Sequence, residues 1–281
     1  MRMAGMNRPQ GSVTVLMVAA LPLMVAALIV IVEIGRISVA RARLQTATDR
    51  AAYAGAASQA DSMNRLAKSN WRIYKAFRDL ESDFASDSQQ DEQAARQRIE
   101  KYEAERGRAI DEMGGVLGDM QDASEAAARS TLASNYPSAS AGVSISGDIE
   151  IDDSQDPEQQ WSELGYSHIT GDLYLDPEDV DGGSYEALKY MIKEGAGGAA
   201  IGVFASAWVE PLTANTFMGE GVEVFASSAA GAFGGSLEDF AQKESEDLDS
   251  AEGWETEEGT DALYRASLIP LWAIGVEGFD N

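Results

Sequence analysis

The chain has 281 residues, enough for one or two domains with a sizeable core, and it carries no cysteine and a single histidine, His168. That composition removes disulfide scaffolds, thiolate metal sites, cysteine nucleophiles and His-His metal pairs. With 21 basic against 47 acidic side chains, a net charge of −26, it also argues against nucleic-acid binding, which needs clustered cations to neutralise phosphates.

The first twelve residues read as a short leader with Arg2 and Arg8. From Val13 to Val32 twenty residues pass without a charge, and only Thr14 and Pro22 depart from an apolar run. At about 1.5 Å per residue this run spans the roughly 30 Å hydrocarbon core of a bilayer. It is longer than the apolar stretch of a cleaved secretory signal, and Ala40-Arg41-Ala42 lies past Glu33 and Arg36, so an uncut transmembrane helix over residues 13–35 is expected. Pro22 removes one backbone hydrogen bond and predicts a kink. Glu33 stands at the end of the run, one turn before Arg36. An i,i+3 salt bridge with snorkelling side chains is the plain structural reading, and an ionisable group at the membrane edge is the functional one.

Between Ile37 and Ala85 there is no proline and only Gly55 interrupts a composition of good helix formers. Ile73, Phe77, Leu80 and Phe84 recur at spacings of four, three and four, the stripe of a packed helix. A Ser-Asp-Ser-Gln-Gln-Asp turn at 86–91 ends it, and a second helix to about Ala133 carries Ile110, Met113, Leu117 and Met120 at the same spacing. Residues 36–135 therefore predict an antiparallel helical hairpin standing off the membrane as a stalk, with Trp71, Tyr74, Phe77 and Phe84 as packing residues.

A boundary near Tyr136-Pro137 follows from charge alone. Residues 1–135 hold 17 basic and 17 acidic side chains, whereas residues 136–281 hold 4 basic and 30 acidic. The second part, residues 136–281, reads as an acidic α+β head. Gly142–Ile151 with a turn at Gly147, Val222–Ala226 and Leu268–Val276 have strand patterns. Ser184–Glu194 has the composition and ends of a helix, Ala199–Val209 fits either a strand or a core helix, and Asp239–Gly259 reads as exposed acid-rich chain.

The groups that could carry chemistry are sparse. Asp172, Asp176, Glu178, Asp179 and Asp181 precede Gly182-Gly183, but aligning Gly182 as the sixth position puts Pro177 first and Leu188 twelfth, so the EF-hand spacing fails. A looser calcium site is the one cation reading these acids leave open, and they serve equally well as turn residues. Asp148, Glu150, Asp152 and Asp153 read as a solvated strand edge. The glycine-rich stretch from Gly195 to Gly202 follows an expected helix and lacks Gly-Lys-Ser/Thr, so it makes no phosphate cradle. His168, in Gly165-Tyr-Ser-His-Ile-Thr170, has no nucleophile elbow around it. No cofactor site and no enzyme follow from these residues.

Three ordered blocks at the membrane end carry a resemblance. They are Gly11-Ser-Val-Thr-Val-Leu-Met-Val-Ala-Ala-Leu-Pro-Leu23, Ile31-Val-Glu-Ile-Gly-Arg36, and Ala40-Arg-Ala-Arg-Leu-Gln-Thr-Ala-Thr-Asp-Arg-Ala-Ala-Tyr-Ala-Gly-Ala56. Over residues 11–57 the sequence resembles the N-terminal module of TadE/TadG-like proteins of bacterial Tad (Flp-type, tight adherence) pilus assembly. The resemblance implies a non-enzymatic inner-membrane component, N-terminus in the cytoplasm and the bulk of the chain periplasmic or extracellular, working with other Tad pilus-assembly proteins. Counting the arginines that flank the span gives the opposite orientation to the one the resemblance implies, with the bulk of the chain in the cytoplasm.

In pilin-like members a peptidase cuts after a glycine that has a glutamate five residues on. Gly11 and Ser12 would form that junction, but the glutamate position holds Leu16. Such a glutamate can neutralise a neighbour's new amino terminus inside an apolar filament. The sequence is more similar to TadG than to the pseudopilin TadE. The D-x-S-x-S metal motif of the von Willebrand type A domain found in many TadG-like proteins is absent, so its adhesion chemistry is not carried over.

The expected architecture is thus α+β: a single N-terminal transmembrane helix continuing into a helical hairpin stalk, then a β-containing acidic head. The function expected from it is anchoring or initiating a pilus. The alternative is a membrane-tethered acidic ectodomain that binds cations or a basic partner, unrelated to a pilus.

Overall fold

A computed structural model describes residues 11–86, 92–146, 166–174, 184–193, 200–212, 221–234 and 264–269 of the chain. Helix α1 (Gly11–Ser86) runs 76 residues, continuous from the apolar run through Pro22 and into the hairpin. Helix α2 (Glu92–Asn135) returns beside it. Arg50 donates to Asn135 Oδ1, Gly55 abuts the Ser124 carbonyl, Arg72 pairs with Glu112, and Arg98 donates to the Asp83 carbonyl. These contacts close progressively toward the turn, so the helices are antiparallel. Ile73, Phe77, Leu80, Met113, Leu117 and Met120 are all buried, as their spacing predicts.

The second helix ends where Tyr136 precedes Pro137, a position that disfavours helical backbone. There the Tyr136 N–H still reaches the Leu132 carbonyl, and the chain turns into strand β1 (Ser140–Ser146). Strands β4 (Ala200–Val209), β5 (Val222–Gly234) and β6 (Tyr264–Ile269) join β1 in an antiparallel sheet of order β1-β4-β5-β6. Strands β2 (Tyr166–Tyr174) and β3 (Ser184–Lys193) form a separate antiparallel pair with a register irregularity between Ile169 and Thr170.

The strand patterns at 142–151 and 222–226 fall on β1 and β5. Residues 200–209 of the ambiguous run at 199–209 form β4, one of the two inner strands of the sheet. The expected strand at 268–276 overlaps the end of β6, and its part beyond Ile269, like Gly147 and residues 148–153, lies outside the described residues. One expectation is overturned: Ser184–Glu194, read as a helix, is strand β3 over Ser184–Lys193. Its Glu, Ala, Leu and Lys favour a helix only weakly, and pairing with β2 plus docking of one face on the hairpin outweighs that preference. Ala187 is buried, and Lys189 Nζ lies 5.8 Å from the Tyr74 ring centroid and 5.7 Å from that of Phe77.

Both sheets lie along the hairpin and share its core. On β4, Ile201, Val203, Ala205 and Ala207 are buried at period two and meet Leu44, Ala47, Ala51, Ala52 and Ala56 of α1 and Ala128 and Leu132 of α2. Small side chains on the helix let the sheet approach closely. Gly55 marks a close crossing: a Cβ there would come within 3.1 Å of both the Ile201 side chain and the Ser124 carbonyl. Farther from the membrane end, Phe77, Leu80, Tyr102, Leu173 and Ala187 form the contact between the hairpin tip and the β2–β3 pair.

Candidate membrane-proximal site

None of the described side chains of α1 before Glu33 is buried. Leu16, Leu21, Leu23, Leu28 and Ile31 are each more than half exposed. Bare apolar side chains all round a helix need an apolar environment, because burying each one is worth about 1.5–3 kcal/mol. This is the one stretch among the described residues long and apolar enough, by length and composition, to cross a membrane.

The first buried residue along this part of α1 is Glu33, only 5% exposed, while Ile34 and Val39 beyond it are still 52% and 51% exposed. Its carboxylate accepts the backbone N–H of Leu212, just beyond the end of β4, and Arg36 Nη1 lies 3.4 Å from its other oxygen. Arg36 is 38% exposed along its side chain, so the ion pair is solvent-screened and weak. The bond to a backbone N–H is the stronger tie, since a buried carboxylate must find donors. The i,i+3 pair was legible in the sequence; the Leu212 partner was not, because it lies 179 residues away.

Two further polar side chains of α1 hold the sheet by its backbone. Gln45 Nε2 donates to Asp49 Oδ1 (2.8 Å) and to the Ser227 carbonyl of β5 (2.9 Å). Asn64 Oδ1 accepts the Tyr264 N–H (2.9 Å) while its Nδ2 faces the Tyr264 carbonyl (3.4 Å). Glu33, Gln45 and Asn64 therefore fix where the strands sit along the helix, a role that apolar packing alone leaves loose.

The other expected site residues distribute as follows. Gly11 is the first residue of α1, Ser12 the second, and Pro22 lies inside the exposed apolar part. Leu16, at the position of the pilin glutamate, is exposed. His168 lies on β2 opposite Met191, and Asp172 on β2 opposite Glu186. Asp176, Glu178, Asp179, Asp181, Asp148, Glu150, Asp152, Asp153 and the 239–259 segment lie outside the described residues. Among the described residues no cluster of three or more His, Asp or Glu side chains could hold a metal ion. The stretch beginning at Gly195 follows a strand, not the expected helix, and its described end, Gly202, is within β4.

At the foot of the sheet, Trp208 and Leu212 are 54% and 55% exposed. Gly221, with φ +122°, faces the Trp208 ring, and a Cβ there would meet the indole Nε1 at 2.6 Å. Glycine is required at this position both for its backbone conformation and for the indole to lie across it.

A long helix that is bare and apolar over a bilayer's thickness, and sheet-clad beyond a buried carboxylate, defines a membrane-anchored protein with a mixed α+β body. Residues 11–58 match the Tad family model, described as Flp pilus-assembly TadE/G-like, and this match supports a pilus-related role. No curated protein matches the chain, and no solved structure does. The matched residues do two structural jobs: they supply the exposed apolar run, and their alanine-rich second half forms the platform on which β4 and β5 pack.

Proposed function

We propose that this protein is a non-enzymatic, single-span component of a bacterial Tad/Flp-type pilus assembly system, a TadG-like minor pilin or anchoring protein. It sits in the inner membrane with its N-terminus in the cytoplasm and the remainder in the periplasm or outside, in contact with other Tad assembly proteins. The observation that carries this reading is the coincidence of the matched residues 11–58 with the exposed apolar run and the start of the packed body. Assembly would proceed by helix packing in the membrane, where Ala19, Ala20, Ala26 and Ala27 permit close approach of a neighbouring helix.

Two measurements test the proposal. Affinity capture of the full chain from its native membrane in mild detergent is expected to recover other Tad assembly components, and to lose them when residues 13–32 are replaced by an unrelated apolar span. Intact mass of the same material distinguishes the two roles: a chain lacking residues 1–11 is a processed filament subunit, and an uncut chain is a permanent anchor. A chain beginning after Ala42, recovered without Tad components, would defeat both.

A further inference from the structure

We propose that the foot of the larger sheet, formed by Trp208, Leu212 and Gly221, is a membrane-seating surface that rests in the headgroup layer of the bilayer α1 enters. The inference rests on α1 being the membrane anchor and adds a second, interfacial contact that fixes how the body stands on the lipid.

The height of this surface follows from two contacts with α1. Ile201 lies against Gly55, and Leu212 is bound to Glu33. The helix rises roughly 33 Å between its two contact points, and eleven extended residues cover roughly 36 Å, so β4 runs down the helix toward the membrane end. Leu212 therefore lies at the level where the exposed apolar run stops. Trp208 is four residues, roughly 13 Å, higher along the strand, but its indole leans back down. Trp208 pairs with Glu223 and Val209 with Val222, so Gly221 is two residues closer to the membrane end than the Trp208 backbone. The pyrrole edge of the indole lies against Gly221, which brings it to roughly 7 Å above Leu212. The polar layer on each side of a bilayer is about 5–8 Å thick, which places Leu212 at the acyl boundary and the indole among the headgroups.

The chemistry fits that placement. Tryptophan is enriched at this depth because its ring is amphipathic, and its N–H finds acceptors among headgroup oxygens. Both residues are more than half exposed, and Leu212 is bonded to Glu33 where the exposed apolar run of α1 ends, so lipid that covers that run reaches the foot of the sheet. Exposed Glu210 and Glu223 of the sheet share this level with Arg36 and Arg41 of α1, so the layer presents both signs of charge, which suits a zwitterionic lipid surface.

The absence of cysteine allows a direct test. Full-length Leu212→Cys, Leu23→Cys and Asp119→Cys, each labelled with an environment-sensitive fluorophore, are reconstituted into phosphatidylcholine vesicles bearing nitroxides on the headgroup or in the acyl chains. All three positions are exposed, so labelling leaves the core intact. The Leu212→Cys label is expected to lose most of its fluorescence to headgroup nitroxide, and the Leu23→Cys label to acyl-chain nitroxide. Asp119→Cys, roughly 40 Å up the hairpin, should lose none to either. An unquenched label at 212 beside a quenched one at 23 would overturn the seat and leave the anchor standing. A label at 212 that is blue-shifted but unquenched would show that protein, not lipid, covers this surface, and overturns it equally. No quenching at 23 would sink the anchor reading along with the seat.

Discussion

The carboxylate of Glu33 accepts the backbone N–H of Leu212 across 179 residues of sequence, and this bond ties the foot of the sheet to the point where α1 leaves the protein. Above that point one side of α1 packs on the strands and α2, with Leu44, Ala47 and Ala51 buried; below it none of the described side chains of α1 is buried. Glu33 thus marks the transition from protein-packed to lipid-facing helix.

Removing this acceptor leaves the part-buried N–H of Leu212 without its partner. Glu33→Ala is expected to destabilise the body by about 1.5–3 kcal/mol, the range for hydrogen bonds to charged groups. Glu33→Gln, which keeps a carbonyl oxygen in place, should retain much of that stability. Arg36→Ala should cost less than about 1 kcal/mol, because its pair is screened. Chemical denaturation in detergent micelles measures all three; equal losses for Glu33→Ala and Arg36→Ala would mean that the ion pair, not the backbone bond, holds the foot.

At Gly55 two effects oppose each other. Alanine gains about 1 kcal/mol of helix propensity over glycine. Its Cβ would be crowded by Ile201 and by the Ser124 carbonyl, which is helix backbone and yields little. Overpacking costs about 1–3 kcal/mol, so Gly55→Ala is expected to be neutral to destabilising by about 2 kcal/mol, and Gly55→Val distinctly worse. Shortening the partner should relieve the clash. Ile201→Val alone costs about 0.5–1.5 kcal/mol, and the double variant should lose less than the sum of the two. Strict additivity in thermal denaturation would show that the Gly55–Ile201 contact does not limit packing.

The β2–β3 pair docks on the hairpin tip around Phe77, whose ring lies so close to Gly171 that a Cβ there would overlap it. Phe77→Ala is expected to cost about 3–5 kcal/mol of local stability. Hydrogen exchange should then show β2 and β3 losing protection while β4 and β5, packed on a different part of α1, keep theirs. Loss of protection across all strands together would mean that the two sheets fold as one cooperative unit.

Tyr102 is buried at the same contact and donates its hydroxyl hydrogen to the Leu188 carbonyl. Burial pushes its pKa up to about 12, against the 10.0 of a free tyrosine, with the nearby Arg106 charge opposing the rise and Glu103 adding to it. Tyr185, through burial and its bond to Glu103, and Tyr264, through burial, are raised as well. Between pH 10 and about 12 the unfolded chain releases the Tyr102 proton while the folded chain retains it. The stability from Tyr102 is therefore complete below pH 10 and is lost as pH rises to about 12. Tyr102→Phe should cost about 1 kcal/mol at neutral pH by leaving the carbonyl unpaired, and should flatten the alkaline fall in stability. An unchanged alkaline unfolding profile, followed by tyrosinate absorbance, would assign the fall to the other tyrosines.

Much of the architecture is written in local sequence. The apolar run from Val13 to Val32, the three-four spacing of Ile73, Phe77 and Leu80, and the turn residues at 86–91 dictate α1, α2 and the hairpin, because helical periodicity and chain stiffness act over a few residues. The residues that resemble a Tad module are likewise contiguous, so residues 11–57 could be read without a structure. Tertiary structure alone decided what depends on residues far apart in the chain. Ser184–Lys193 is a strand because β2 pairs with it and the hairpin tip buries its face, although its composition leans toward helix. Glu33 has a partner in Leu212, and Gly55 is a crossing point of three elements, because β4 runs back down α1. Side-chain periodicity reports which face of an element is apolar; it carries no record of which distant backbone N–H will fill a buried carboxylate, and only the folded chain supplies that partner.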